Sequence, residues 1–406
     1  MKTNITRRFT LGVRNIAANE SHADVQKVQQ YLKRFGYLRA DFQPELLDVT
    51  TQEALRIFQR RTGLPETGVV DSATASKLEE PRCGVPDIST NTRLGLFDEP
   101  SFKDGCKYES IRQLTYAIIN RSQSIRRVKA TREIRAAFDK WQSLIPIDFV
   151  EVDASASPTL TIGWFIGDHH DGAPFDGAGN VLAHAFPPPH CGDPNAGKCH
   201  FDDDELWSDL ATVGFFDLQV VGLHEIGHLL GIGHLKQSTS VMNESFAKSV
   251  QDFSPDDAAI PAVQALYGRR GPSLMVLAHF QGFVDRPFRD NELTLPGASP
   301  HRLEGFQLAF NTDRPSELGL QYMAHVDRND TPFVSEGQFI GTRSQGGLMT
   351  GFAVELIGSQ ADKYNVLYMA KIQEMGATAL HRNGEFCGDR SLSKPIEAIL
   401  VRVEPR

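Results

Sequence analysis

Apolar residues along this chain recur with two different periods, and the period changes from one region to the next. Near the N-terminus, Val25, Val28, Leu32 and Phe35 fall at helical spacing. Leu55 and Phe58 do the same in a run that ends at Gly63, a residue suited to a helix C-cap. Residues 22–80 are therefore expected to form a small helical bundle. Residues 88–105 are polar and irregular, with Asn91, Asp98, Pro100 and Gly105, and read as an exposed linker. Across 106–270 strand and helix signals alternate. Leu114–Ile118 and Leu160–Phe165 are strand-like, while Ile134, Ala137, Phe138 and Trp141 share one helix face. A last helix is expected to start at Ser254-Pro255-Asp256-Asp257, with Ser254 as N-cap, Pro255 in the first turn and the acids at the positive helix end.

Residues 271–406 contain an internal repeat. Leu277-Ala278-His279, Met323-Ala324-His325 and Met369-Ala370-Lys371 are spaced by 46 residues. Gly305-Phe306, Gly351-Phe352 and Ala398-Ile399 recur at nearly the same period. Short apolar runs divided by Gly, Asp and Asn favour strands, so an all-β domain with pseudo-threefold symmetry is expected.

Composition narrows the choice of partner. The chain has 406 residues, enough for two to four domains, with 40% hydrophobic and 23% charged residues. A net charge of -9 without a long basic run argues against nucleic acid as the main partner. No apolar stretch is long enough to span a membrane. The start, MKTNITRRFTLGVRNIAANES, has basic residues but no apolar core of signal-peptide length. Five cysteines, Cys83, Cys106, Cys191, Cys199 and Cys387, leave at least one outside intramolecular pairing.

The segment with the most chemical content runs from His224 to His234. His224 and His228 stand four apart, so a helix presents both imidazoles on one face to a single ion. Gly231 lets the chain leave the helix and swing back, and His234 supplies a third nitrogen. Three protein ligands leave the fourth tetrahedral position of zinc open, as catalysis requires. Glu225 lies beside the ligands and is placed to move protons. A third ligand that is His rather than a later Glu argues against a gluzincin.

His224-Glu225-Ile226-Gly227-His228-Leu229-Leu230-Gly231-Ile232-Gly233-His234 resembles the metzincin signature, and Met242 fits the Met-turn that underlies the metal. Pro81-Arg82-Cys83-Gly84-Val85-Pro86-Asp87 resembles the cysteine switch of matrix metalloproteinases. Residues 22–80, with FGYL and TGVVDSATASKL, resemble the peptidoglycan-binding-like module that serves as their propeptide. The resemblance implies four parts: a helical propeptide (22–80), a switch and activation linker (81–105), an α/β zincin catalytic domain (106–270) and the β repeats (271–406). It implies that Cys83 occupies the open zinc position, with Arg82 and Asp87 pairing to hold the loop in shape. No basic run marks a furin-type site in the linker, so cleavage by another protease or a neighbouring copy is expected.

The segments Asp168–Phe186 and His200–Glu205 resemble the metal-binding loop and strand of the same family. By that resemblance, His169, Asp171, His184 and His200 close a structural zinc. Asp176, Asp202 and Glu205, with the carbonyls of Gly177, Gly179 and Val181, bind calcium, a hard cation suited to oxygen donors. Leu182 and Ala183 belong to the edge strand that pairs with an extended substrate, which makes a protein or peptide the expected substrate. The chain departs from the family between Phe186 and His200, where Cys191 and Cys199 stand. They would close a small disulfide or add ligands beside His190 and His200; the disulfide is favoured, because His200 already has a role. The C-terminal repeats only loosely resemble clostridial hydrophobic-tryptophan repeats, since the defining tryptophans are absent.

The leading expectation is a secreted zinc endopeptidase made as a zymogen, with the location implied by resemblance alone. The alternatives are a glycan- or cell-wall-binding protein in which proteolysis is secondary, and a metal-stabilised structural protein.

Overall fold

The computed structural model describes residues 10–12, 15–88, 106–109, 112–210, 212–247, 250–289, 293–295, 301–311, 314–391 and 393–406. The expected activation linker, beyond Ile88 and up to Gly105, lies outside them. The chain divides into two compact units, Met1–Gly268 and Arg269–Arg406.

The first unit opens with three helices, α1 (Ala23–Arg34), α2 (Val49–Thr62) and α3 (Ser72–Leu78). Each has a local start signal: the side chains of His22, Asp48 and Asp71 accept hydrogen bonds from the backbone amides of Asp24, Thr51 and Thr74. Gly63 closes α2 in the left-handed conformation, as expected. The predicted stripe Val25, Val28, Leu32 and Phe35 is fully buried, and with Leu55 and Phe58 it forms the core of this module. Phe175 and Val181, distant in sequence, complete that core.

A six-stranded sheet follows, with strand order β1-β5-β6-β4-β2-β3. The strands are β1 (Arg82–Cys83), β2 (Gln113–Ile118), β3 (Asp148–Glu151), β4 (Leu160–Phe165), β5 (Val181–Ala185) and β6 (Lys198–Asp202). Pairing is parallel except between β5 and β6, so β5 runs against the domain's own strands. The helix α4 (Arg127–Leu144) buries Ile134, Ala137, Phe138 and Trp141. It packs on α5 (Leu218–Leu229), where the Trp141 indole donates to the Leu223 carbonyl at 2.7 Å. The last helix, α6, spans Ala259–Tyr267 and not the expected start near Ser254. The reason is tertiary. The Asp257 carboxylate is engaged by the Ser240 hydroxyl at 2.5 Å and the Val241 amide at 2.9 Å, while also accepting from the Ala259 amide. The segment from Ser254 is thus held as turns against residues 240–241, and the helix begins only beyond it. Among the described residues, no helix is long and apolar enough to cross a membrane.

The second unit is all β. Three long antiparallel hairpins carry the repeat: Leu274–Phe280 with Leu303–Phe310, Gly319–Val326 with Met349–Ile357, and Tyr364–Ile372 with Ile396–Pro405. The two sequence anchors are cross-strand partners, with Ala278 opposite Phe306, Ala324 opposite Phe352 and Ala370 opposite Ile399. Each hairpin has one register shift, leaving Glu304, Thr350 and Glu397 unpaired at equivalent places. The aromatic and aliphatic residues of all three hairpins share one core.

Candidate active site

Asp217 caps α5 by accepting from the Gln219 and Val220 amides, and the helix is buried along its whole length. One turn apart on it, His224 and His228 bring their Nε2 atoms to 3.0 Å. The helix ends at Leu229, and the chain turns back at Gly231, whose φ of +93° suits glycine and whose position leaves no room for a Cβ against the Cys106 carbonyl. The reversed chain carries His234 Nε2 to 3.2 Å from His228 Nε2. Cys83 Sγ stands 3.4 Å from His228 Nε2. All four donor atoms lie within 4.8 Å of one another, and all four residues are buried. Three imidazoles and a thiol, soft to borderline donors, fit tetrahedral zinc.

The outer nitrogen of each ring is held. His224 Nδ1 pairs with the Val241 carbonyl at 2.8 Å and His228 Nδ1 with the Ile232 carbonyl at 2.7 Å. His234 Nδ1 pairs with Asp87 Oδ1 at 2.7 Å. Protonation at Nδ1 leaves Nε2 free as a ligand. Met242 is fully buried, and its sulfur packs against Gly227 on α5. Glu225 is also buried, with its carboxyl beside the Cys83 thiol. Burial pushes its pKa up to about 8.

Cys83 arrives on a short strand laid in a groove. On one side, the Arg82 amide donates to the Asn180 carbonyl (2.6 Å) and the Gly84 amide to the Ala183 carbonyl (2.7 Å). On the other, the Cys83 amide donates to the Glu244 carbonyl (3.0 Å) and the Phe246 amide to the Pro81 carbonyl (2.9 Å). Gly84 is required by closeness, since a Cβ there would stand 2.8 Å from Val181 Cγ1. Leu182 and Ala183, the expected substrate-pairing residues, therefore lie on the strand now paired with β1. The expected Arg82–Asp87 pair is present at 2.6 Å and buried. Arg82 also donates to the Tyr31 hydroxyl at 2.8 Å and stacks 3.4 Å over the Phe35 ring.

A second cluster gathers His169, Asp171, His184 and His200, again within 4.8 Å. A single oxygen, Asp171 Oδ2, lies 2.7 Å from His169 Nε2, 2.7 Å from His184 Nε2 and 2.8 Å from His200 Nδ1. Three ring nitrogens crowding one carboxylate oxygen are the donor set of a closed metal site. Phe165, Phe175 and Phe186 ring it with aromatic contacts.

The third expected set is looser. Among the described residues, only the two histidine groups gather donors that closely, and Asp176, Asp202 and Glu205 do not form a third. Glu205 accepts from the Gly179 amide at 2.5 Å and Asp176 from the Val181 amide at 3.3 Å, which ties both acids to the loop whose carbonyls are the expected further donors. Asp202 Oδ2 and Asn180 Oδ1 are buried without partners. Burial raises Asp176 and pushes Asp202 to about 7 and Glu205 to about 8. Two buried acids and a half-buried third, with the Asp202 and Asn180 oxygens left without partners, fit a hard cation such as calcium.

Two outcomes depart from the sequence reading. Cys191 bonds Cys106, with Cα atoms 5.4 Å apart, not Cys199. Cys199 is free and buried in the main core, on the face of β6 opposite His200, so it joins neither a disulfide nor the second cluster. The pairing of Asp87 with His234 was not foreseen, because no sequence pattern links residues so far apart.

The chain is similar in sequence to known proteins. A family model described as Matrixin matches residues 107–268, and one described as Putative peptidoglycan binding domain matches residues 21–78. Metalloendoproteinase 1-MMP of Arabidopsis thaliana is 36% identical over 258 residues, covering 60% of this chain and 69% of its own. Human Matrilysin is 34% identical over 259 residues, covering 63% of this chain and 90% of its own. Metalloendoproteinase 1 of Glycine max is 32% identical over 262 residues, covering 61% and 83%.

Proposed function

The chain belongs to the matrixin family of zinc metalloendopeptidases, and from that premise we propose that it is a latent endopeptidase silenced by its own Cys83. The metals of the family are a catalytic zinc, a structural zinc and calcium, and the donor groups described above fit them. His224, His228 and His234 are the ligands of the catalytic zinc, with Cys83 at its fourth position. His169, Asp171, His184 and His200 hold the structural ion, and Asp176, Asp202 and Glu205 the calcium.

The observation that carries this reading is the convergence of the Cys83 thiol with three imidazole nitrogens inside 4.8 Å. When bound, zinc lowers the pKa of a water and polarises the scissile carbonyl. Glu225, beside the ligands, takes the proton of the attacking water and returns one to the leaving amine. Leu182 and Ala183 offer the backbone of an edge strand to an extended peptide once residues 81–88 leave the groove. Met242 supports the metal floor from below. The substrate class is therefore protein or peptide. The Cys106–Cys191 disulfide supports an oxidising, extracellular location.

The test is hydrolysis of a quenched-fluorescent peptide by the intact chain, Cys83→Ser and Glu225→Ala, with and without a zinc chelator. Chelator-sensitive cleavage by Cys83→Ser, little by the intact chain and none by Glu225→Ala, is expected. Full activity of the intact chain with its linker uncut would sink the latency.

The match at residues 21–78 favours a second reading, in which this module binds glycan. Against it, Tyr31 and Phe35 of the module are already engaged by Arg82. Co-sedimentation of the full chain with insoluble peptidoglycan separates the two, since retention in the pellet would establish a glycan ligand.

A further inference from the structure

We propose that Asp87 is the positioning residue for the third zinc histidine, so that the propeptide holds the metal in as well as holding substrate out. The inference rests on the zinc reading above and deepens it. His224 and His228 are oriented twice over by their own domain: by one turn of α5 and by the carbonyls of Val241 and Ile232. His234 has left the helix at Gly231, so helix geometry no longer aims its ring. What aims it comes from the segment to be removed. Asp87 Oδ1 accepts from His234 Nδ1 at 2.7 Å, and both side chains are fully buried. The helical module adds a second hold, since Arg61 donates to the His234 carbonyl at 3.2 Å.

Asp87 is itself fixed. The Arg82 guanidinium donates to Oδ1 at 2.6 Å and the Tyr37 hydroxyl to Oδ2 at 2.6 Å. A carboxylate behind a metal-bound imidazole raises its basicity and locks its orientation, and losing such a partner costs about 10–100-fold in metal affinity. Two residues of one seven-residue motif would then act on one ion, Cys83 as a direct ligand and Asp87 through His234. Departure of the segment removes both, so activation loosens the ion as it exposes it.

The experiment follows zinc release from the full chain to a chromogenic chelator, with no activity readout. The release phase that Cys83→Ser accelerates identifies the catalytic site against the structural one. Asp87→Asn is expected to accelerate that same phase about 10-fold or more. Tyr37→Phe, which keeps the charge and loses one anchor, should accelerate it less. Alkylation of Cys83 by iodoacetamide reports whether the segment stays docked. Cys83→Ser/Asp87→Asn is expected to release zinc faster than Cys83→Ser alone.

Wild-type release from Asp87→Asn with Cys83 still protected would overturn the proposal and leave the cysteine switch intact. So would equal rates for the double variant and Cys83→Ser. If Asp87→Asn accelerates only a phase that Cys83→Ser does not touch, Asp87 does not act on the catalytic ion and the positioning role fails. If neither variant changes any phase, both fail.

Discussion

The two histidine clusters use nearly the same donors and differ in where those donors come from. His169, Asp171, His184 and His200 lie in β5, β6 and the loop before them, and every member belongs to the same domain. The other cluster takes three imidazoles from α5 and the turn after it, and its fourth donor from a strand contributed by the segment ahead of the domain. A closed site made by one domain can only stabilise it. On the proposal of latency, a site whose last donor rides on such a segment opens when the segment leaves, and beside it stands a buried carboxylate, Glu225. Burying that acid is a cost to folding which a merely structural site has no reason to bear.

Four experiments would break or sharpen this contrast. The largest effect is expected from Glu225→Ala in an activated chain. Peptide hydrolysis should fall by roughly 10²–10⁴-fold with zinc content unchanged and stability no lower, because burying the carboxyl costs folding energy. His200→Ala in the other cluster should do the reverse. It should remove one of two zinc ions by metal analysis and lower stability in denaturant by about 4 kcal/mol. Equal zinc content in that variant would separate His200 from the metal. Cys106→Ser should lower stability by about 2–4 kcal/mol, since the bond closes a long loop, and the loss should disappear when wild type is measured under reducing conditions. Gly231→Ala should cost roughly 1–3 kcal/mol, because a side chain there needs a strained backbone and meets the Cys106 carbonyl. A wild-type melting temperature for Gly231→Ala would mean that the turn into His234 tolerates rearrangement.

Much of the first cluster was legible because its geometry is local. Two histidines four apart on a helix, followed by a glycine exit, specify a metal face through helix geometry alone. The helix stripes of α1, α2 and α4 and the strands β2 and β4 were equally legible, since burial on one face imposes its period on the sequence. The repeat spacing announced strands, although not that its two anchors face each other across each hairpin. Reading failed where a local signal was overruled from a distance. Ser254-Pro255-Asp256-Asp257 is a sound helix start, but Asp257 is drawn to Ser240 and Val241, and α6 begins later. Cys191 and Cys199 are near neighbours in sequence, yet Cys191 bonds Cys106 and Cys199 stays free in the core.

By itself, then, the sequence determined the ligand types, the acid beside them, the two periodic regions and the presence of a cysteine ahead of the domain. Tertiary structure alone decided which cysteines bond, where α6 starts, and that Asp87 meets His234. The physical reason is range. Helix and strand periods act between residues a few positions apart, whereas disulfides, buried ion pairs and metal shells join atoms that only the packed chain brings together.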